Sequence, residues 1–259
     1  MNFTEVAVTN YPVTDFPAAR AFYEGVLGLE PDRVIDLKNG CGWVEYEVGD
    51  HAFGVGKMEG WLSTPNCALE TDDLDAAVAA LKKAGTAFRF EPFETAICRM
   101  ATVIEPGGHV LTIHQRKPGN APAVVIGGSA PAVASRKGPK FTEVAFTAYA
   151  AHDLAVSRAF YENVLGLKPA TVHQQDDGSG WIEYEIGSHT FGIGKSENWS
   201  HGVCCALETN EFDAVIAVLR NAGTPFRMEP FDTPVCRMAL VSDPSGNKLM
   251  IHQRKPGHH

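Results

Sequence analysis

One segment of the sequence is written twice, and this repeat constrains the fold more than any other feature. Shifted by 138 positions, residues 3–119 align with residues 141–257 without a gap, and about 66 of the 117 aligned positions are identical. Such similarity at a fixed spacing indicates a duplicated structural unit. We therefore predict a first domain at residues 1–119 and a second at residues 141–257, with the second copy packed against the first.

The segment between the copies, residues 120–140, is rich in Pro, Ala, Gly and Ser and has Gly127-Gly128-Ser129 at its centre. This composition is typical of a flexible linker long enough to let two domains meet. The predicted assembly is therefore a monomeric pseudo-dimer. The sequence also allows the copies to be exchanged between two chains.

Each copy has the pattern of a strand, a helix and three further strands, repeated once. In the first half of copy one, alternating or periodic apolar residues predict strands at 3–9, 42–48 and 51–57 and a helix at 18–27. Asp15 is the expected N-cap of that helix, Gly28 its end, and Gly49-Asp50 a hairpin turn. The second half has a predicted helix at 72–84 and strands at 67–71, 87–91, 97–104 and 109–115.

Charge and composition exclude several classes of partner. The formal net charge is −9, so the chain offers no general surplus of cations to neutralise nucleic-acid phosphates. No apolar run reaches the roughly 18 residues of a membrane span, and the N-terminus has no secretion signal. We therefore predict a cytoplasmic protein that binds neither nucleic acid nor membrane. The six cysteines form no CxxC motif and are expected to be reduced and mostly buried.

Motifs in both copies resemble one known superfamily. Copy one has Arg20-Ala21-Phe22-Tyr23, then Val26-Leu27-Gly28-Leu29, then Ala68-Leu69-Glu70-Thr71 and a closing Pro-x-Gly turn; copy two has the equivalent motifs. They resemble the vicinal oxygen chelate superfamily, which includes glyoxalase I, bleomycin-resistance proteins and extradiol dioxygenases. The resemblance implies an α+β fold of four paired βαβββ units, with sheets curled into cup-shaped half barrels and helices outside. In glyoxalase-like members, the first unit of one domain and the second unit of its partner share a cup.

The resemblance also implies where a metal would bind. Metal-using relatives place ligands at positions that match Glu5 and Glu143, and glyoxalase I adds a carboxylate that matches Glu45 and Glu183. The family's next two ligands are a His and a Glu. This chain has Asn66 and Thr112 there in copy one, and Cys204 and Met250 in copy two.

Two of the four ligand positions are therefore retained, and Thr and Asn are poor ligands for a divalent transition metal. We predict no cofactor, with a divalent metal such as Zn, Ni, Mn or Fe as the alternative. A displaced zinc site from Glu5, Glu45, Cys204 and His252 is a further alternative, since all four residue types bind zinc.

The candidate ligand-binding or catalytic residues are the acids above together with a tryptophan and a histidine in each copy. Trp43 and Glu45 share one face of a predicted strand, as do Trp181 and Glu183. His114 and His252 lie on the last strand, on the same face as the lost ligand. For each of these residues the alternative is an ordinary solvated strand position. Arg99 and Arg237 are expected to form ion pairs with a helix, and Gly54-Val55-Gly56-Lys57 is interpreted as a glycine-rich strand rather than a phosphate loop.

Three functions remain open. The first is a metal-free protein that binds a small, partly aromatic organic molecule in cups between the paired sheets. The second is a metal-dependent lyase, isomerase or dioxygenase of glyoxalase I type that uses Glu5/Glu45 and Glu143/Glu183. The third is a structural pseudo-dimer whose cups are filled by its own side chains. We favour the first.

Overall fold

The computed structural model describes residues 2–61, 63–118, 140–197 and 202–257. The strands of copy one are β1 Phe3–Pro12, β2 Arg33–Asp36, β3 Gly42–Val48, β4 His51–Lys57, β5 Asn66–Thr71, β6 Phe88–Glu94, β7 Cys98–Ile104 and β8 Val110–Arg116; its helices are α1 Phe16–Arg20 and α2 Leu74–Lys83. The strands of copy two are β9 Phe141–Ala150, β10 Pro169–Gln174, β11 Gly180–Ile186, β12 His189–Lys195, β13 Val203–Thr209, β14 Phe226–Asp232, β15 Cys236–Ser242 and β16 Lys248–Arg254; its helices are α3 Leu154–Ala159 and α4 Phe212–Asn221. The predicted linker lies outside the described residues, apart from Lys140.

The strands form two eight-stranded open sheets of the predicted α+β class. Their orders are β2-β3-β4-β1-β5-β8-β7-β6 and β10-β11-β12-β9-β13-β16-β15-β14. Hairpin neighbours such as β3 and β4 are antiparallel, whereas β5 and β8 are parallel. Each sheet uses strands of one copy only. The pairing of the first half of one copy with the second half of the other, which glyoxalase-like members imply, is found in the compact units of the chain.

The chain divides into two compact units, and each unit contains parts of both copies. Within the described residues, one comprises 2–9, 64–118, 146–197 and 202–203, and the other comprises 10–61, 63, 140–145 and 204–257. In the first, Leu69 and Leu111 of copy one share a buried core with Tyr161 and Phe191 of copy two. In the second, copy one contributes Tyr23 and Phe53 to a core with residues such as Leu249 of copy two. The predicted packing of one copy against the other is thus confirmed within each unit.

The first helix of each copy differs from its prediction. Instead of one α-helix over 18–27, α1 gives way to a π-helical segment, Ala21–Val26, in which the Leu27 N–H donates to the Phe22 carbonyl at 3.0 Å. The wider turn allows the neighbouring residues Phe22 and Tyr23 both to be buried. The ends were predicted correctly: the Asp15 side chain accepts from the Ala18 N–H, and Gly28 has a φ of 73°.

The strands β2 and β10 were not located from the sequence. Both lie at one edge of their sheet, where a strand has a single hydrogen-bonded neighbour. Most residues of β10 are exposed, so the segment carries no buried apolar pattern to reveal it.

Two further expectations concern the cysteines and the membrane. All six cysteines are free thiols, and five of them are buried, as predicted; Cys41 is half-buried. Among the described residues, no helix is both long and apolar enough to span a bilayer.

Candidate functional site

A tryptophan and a glutamate stand side by side on the same strand in each copy. Alternation along β3 turns Val44 and Tyr46 into the core and places Trp43 and Glu45 on the other face. The indole N–H of Trp43 donates to a Glu45 carboxylate oxygen at 2.9 Å. In copy two, Trp181 donates in the same way to Glu183 at 2.7 Å. Each pair therefore joins an aromatic surface to an acidic group.

Glycines on the neighbouring strand leave the space that each indole ring occupies. A Cβ atom at Gly54 would lie 2.2 Å from Trp43 Cζ2, and one at Gly56 would lie 2.4 Å from Trp43 Cε3. In copy two, a Cβ atom at Gly192 would lie 2.6 Å from Trp181 Cζ2. The indole thus packs directly on the backbone of the adjacent strand, which explains the glycine-rich pattern.

The two pairs differ in exposure and in charge. Trp43 is buried and packs edge-on against Trp61 at a centroid distance of 5.0 Å. Trp181 packs edge-on against Phe146 at 5.4 Å but is only half-buried. Arg33 lies opposite Glu45 and approaches it to 3.5 Å. The residue opposite Glu183 is Thr171, which carries no charge. The acid of copy two is therefore not neutralised from the neighbouring strand.

A cleft of 490 Å³ has Trp181 in its wall. The other lining residues are mostly polar and come from the ends of β10, β11 and β12: His173, Gln174, Gln175, Ser179, Gly180, Lys195 and Ser196. A cleft of this volume lies within the size range of small-molecule sites, and Trp181 supplies the kind of aromatic wall that such sites use.

The glutamates of β1 and β9 form ion pairs with arginines. Glu5 forms an ion pair with Arg116 at the end of β8, and Glu143 forms the equivalent pair with Arg254. Both carboxylates keep 41% of their side-chain surface exposed. Exposed ion pairs of this kind are typical of acids at solvated strand positions.

The two candidate histidines each contact a carboxylate on the adjacent parallel strand. His114 Nδ1 is hydrogen-bonded to Glu70, and His252 Nδ1 to Glu208. Burial lowers the pKa of each imidazole, but hydrogen bonds to the glutamate and to a cysteine outweigh it and raise the pKa to about 9. Both rings are therefore imidazolium at neutral pH.

Glu70 and Glu208 were not selected as site residues from the sequence. The available signal was a single acid inside an otherwise uncharged strand, since a carboxylate that becomes buried requires a partner. The predicted ion pairs of Arg99 and Arg237 with a helix are confirmed: Arg99 contacts Asp75 on α2 at 2.8 Å, and Arg237 contacts Asp213 on α4 at 2.6 Å.

The donors at the family's metal positions do not fit a divalent metal. Thr112 donates a hydrogen bond to Asn66 at 3.2 Å, so the residues that replace the family's His and Glu satisfy each other. In copy two, burial raises the pKa of the Cys204 thiol to about 12, which opposes the thiolate that zinc requires. His252 binds Glu208 rather than standing free for the displaced zinc site. Within the described part of the chain, no three His, Cys, Asp or Glu residues form a group able to hold a metal.

Comparison with known proteins agrees with the fold. The family model of the Glyoxalase/Bleomycin resistance protein/Dioxygenase superfamily matches residues 5–113 and again residues 143–251. The Mn(II)-bound glyoxalase from Novosphingobium aromaticivorans is similar with a TM-score of 0.69 at 18% identity, over 97% of this chain and 82% of that one. The 2,3-dioxygenase LapB from Pseudomonas sp. KL28 has a TM-score of 0.69 at 17% identity, over 100% and 96% of the two chains.

The homoprotocatechuate 2,3-dioxygenase from Arthrobacter globiformis gives a TM-score of 0.66 at 17% identity, over 100% of this chain and 83% of that one. No curated protein sequence matches the chain. At these identities the solved structures show a shared fold and leave the chemistry open. The two family matches together span most of the sequence, one in each copy. The chain therefore belongs to the Glyoxalase/Bleomycin resistance protein/Dioxygenase superfamily.

Proposed function

We propose that the protein binds a small planar organic molecule, without a metal, at the Trp181–Glu183 pair of copy two. The observation that carries this proposal is the half-buried indole in the wall of the 490 Å³ cleft, held by its hydrogen bond to Glu183. An aromatic ligand would stack on or against the indole, which contributes about 0.5–1.5 kcal/mol beyond the area that is buried.

The charge at the pair favours a ligand that is cationic or donates a hydrogen bond. Glu183 accepts the indole N–H and has no arginine opposite it, unlike Glu45. A carboxylate with no charged residue directly opposite it on either neighbouring strand attracts a cation, and the face of an indole does the same. Copy one has a buried tryptophan and a compensated acid, so we propose that it contributes to the fold rather than to ligand binding.

A fluorescence titration with two planar probes tests the proposal. Proflavine serves as the planar cation and 1-anilinonaphthalene-8-sulfonate as the planar anion. We expect proflavine to bind the wild-type protein and Glu183→Gln to weaken that binding about tenfold, a difference of about 1.4 kcal/mol. Glu45→Gln is the matched control, because Arg33 already neutralises that acid, and it should leave proflavine binding unchanged. Equal proflavine affinities of the wild-type and Glu183→Gln proteins would contradict the proposal.

Metal analysis combined with native mass measurement tests the metal content and the number of chains in the assembly. We expect the purified protein to hold no stoichiometric Zn, Ni, Mn or Fe, because Asn66 and Thr112 engage each other, Glu5 and Glu143 pair with arginines, and burial raises the pKa of the Cys204 thiol. We also expect the mass of a single chain, as a monomeric pseudo-dimer predicts. One bound metal per copy would instead support the metal-dependent alternative. The division into domains at 1–119 and 141–257, the linker at 120–140 and the cytoplasmic location stay predictions.

A further inference from the structure

A cysteine, a histidine and a glutamate meet on three adjacent strands of each copy. In copy one, Glu70 on β5 lies directly opposite His114 on β8. His114 in turn lies opposite Met100 on β7, two residues from Cys98 on the same face of that strand. Cys98 and His114 are therefore diagonal neighbours across the β7–β8 pair, a spacing that long side chains bridge. Copy two assembles Cys236, His252 and Glu208 in the same way.

The glutamate orients the imidazole. One oxygen of Glu70 binds His114 Nδ1, and the other accepts the backbone N–H of Arg116 at 2.7 Å. The carboxylate is thus held from both sides and fixes the ring beside the thiol. This is the relation of an orienting acid to a base in nucleophilic sites.

The thiol is held from its other side by a threonine. Thr95 Oγ1 lies 3.0 Å from Cys98 Sγ and accepts the backbone N–H groups of Ile97 and Cys98 at 3.2 and 3.1 Å. In copy two the distance from Thr233 Oγ1 to Cys236 Sγ is 3.3 Å. The hydroxyl is fixed by the turn before β7, so the position of the sulfur is fixed as well.

This environment favours the thiolate. Burial raises the pKa of Cys98, but hydrogen bonds from His114 and Thr95 and the charge of His114 outweigh it, so the pKa of the thiol falls below its ordinary value. The same groups lower the pKa of Cys236. By contrast, burial raises the pKa of Cys67 to about 12. A lowered pKa next to an imidazolium distinguishes a nucleophilic cysteine from an inert buried one.

Exposed apolar side chains lie beside the start of the strand that carries each thiol and on the neighbouring strand. Ile97 precedes Cys98 in the chain, and Phe93 lies opposite Met100 on the neighbouring strand. Both are exposed, at 46% and 37%. Their counterparts in copy two, Val235 and Phe231, are exposed as well. Apolar groups left in water beside a reactive sulfur would contact an apolar substrate.

We propose that Cys98 and Cys236 are nucleophilic thiols that add to small apolar α,β-unsaturated carbonyl compounds. The thiolate sulfur attacks the β carbon, and a carbon–sulfur bond forms. The electron pair of the carbon–carbon double bond moves to the α carbon, which takes a proton from the imidazolium of His114 or His252. The imidazole then regains a proton from water. The product is a thioether with the carbonyl intact, and no oxidant or reductant is needed.

This proposal rests on residues other than Trp181 and Glu183, so either proposal can fail without the other. Glu70 and Glu208 act as positioning residues in it. The exposed apolar groups select the substrate class, and the cysteine sulfur forms the covalent bond to the substrate. Each copy carries its own cysteine, histidine and glutamate, so one copy is an internal control for the other.

The test is the rate of adduct formation with trans-2-hexenal, followed by mass spectrometry of peptides from the intact chain. At pH 7 we expect Cys98 and Cys236 to react about tenfold faster than the half-buried Cys41, despite their greater burial, because a neighbouring imidazolium favours the thiolate of Cys98 and Cys236. His114→Gln should slow Cys98 about tenfold and leave Cys236 unchanged in the same molecule. An unchanged rate at Cys236 also shows that the chain still folds.

Two further variants separate this role from a structural one. Glu70→Gln should shift the pH profile of the Cys98 reaction toward higher pH, with a plateau rate close to that of the wild type. Phe93→Ser should slow the reaction of Cys98 with trans-2-hexenal a few-fold but leave its reaction with acrolein, which lacks the apolar tail, unchanged. The proposal is overturned if Cys98 and Cys236 react no faster than Cys41, or if His114→Gln leaves the Cys98 rate as it was. Equal effects of Phe93→Ser on both aldehydes would overturn the apolar substrate class.

Discussion

The hydroxyl of Tyr149 in copy two is inserted between two strands of copy one. It accepts the backbone N–H of Cys67 at 2.7 Å and donates to the carbonyl of Val110, also at 2.7 Å. These groups lie at the start of the parallel strands β5 and β8, which pair from Cys67 opposite Leu111. Tyr11 of copy one makes the equivalent contacts with Cys205 and Lys248. Each tyrosine thus completes the hydrogen bonding of a strand that belongs to the other copy.

Removing this hydroxyl should destabilise the protein clearly. Tyr149→Phe leaves a buried N–H and a buried carbonyl without their partner, and we expect the free energy of unfolding to fall by about 2–3 kcal/mol. Urea denaturation measures the change. Tyr184→Phe is the control, since that hydroxyl makes one longer contact, 3.4 Å to Glu162, and should cost less than about 1 kcal/mol. Equal costs for the two variants would contradict a bridging role for Tyr149.

The glycine beside Trp181 should not tolerate a methyl group. Gly192→Ala would place a Cβ atom 2.6 Å from the indole, so the ring must move. We expect a loss of about 1–3 kcal/mol in the free energy of unfolding and a shift in tryptophan fluorescence. Gly25→Ala is the control, because a Cβ atom there meets nothing within 4 Å and should leave stability unchanged or slightly raised. A Gly192→Ala protein with unaltered fluorescence and stability would show that the indole does not pack on this backbone.

Equivalent tyrosines in the two copies should respond differently to loss of the hydroxyl. Tyr23 donates to the buried carboxylate of Asp243 at 3.0 Å, whereas within the described residues the buried hydroxyl of Tyr161 has no partner. Tyr23→Phe should therefore lower the free energy of unfolding by about 1.5–3 kcal/mol. Tyr161→Phe should be neutral or stabilising, since it removes an unsatisfied group. Thermal unfolding of the two variants checks this, and the reverse order of stabilities would refute it.

The pH dependence of stability should reflect the titration of His114 and His252. Their pKa is raised from 6.5 to about 9, so the folded state favours the imidazolium. The resulting stabilisation is fully present below pH 6.5 and is lost as the pH rises through about 9. We expect two histidine rings to titrate near pH 9 in NMR spectra, assigned by their absence in His114→Gln and His252→Gln. Ring titrations at or below pH 6.5 would contradict the contacts with Glu70 and Glu208.

Local structure was predictable where a residue acts on its neighbours in the chain. The N-cap at Asp15 and the helix end at Gly28 depend on hydrogen bonds and backbone angles within a few residues. The shared face of Trp43 and Glu45 follows from the two-residue period of a strand. The π-helical segment was missed, because the burial of both Phe22 and Tyr23 is decided by the core and not by the helix itself.

The sequence alone determined the duplication, the superfamily, most strands and helices, and the shared face of each Trp–Glu pair. Only the tertiary structure decided that each core combines halves of both copies, that Glu5 pairs with Arg116, and that Cys98, His114 and Glu70 meet. Glu70 and His114 are 44 positions apart, and no local pattern specifies which strand a given strand pairs with. That choice depends on the burial of apolar surface over the whole chain, a property of the folded molecule rather than of any segment of it.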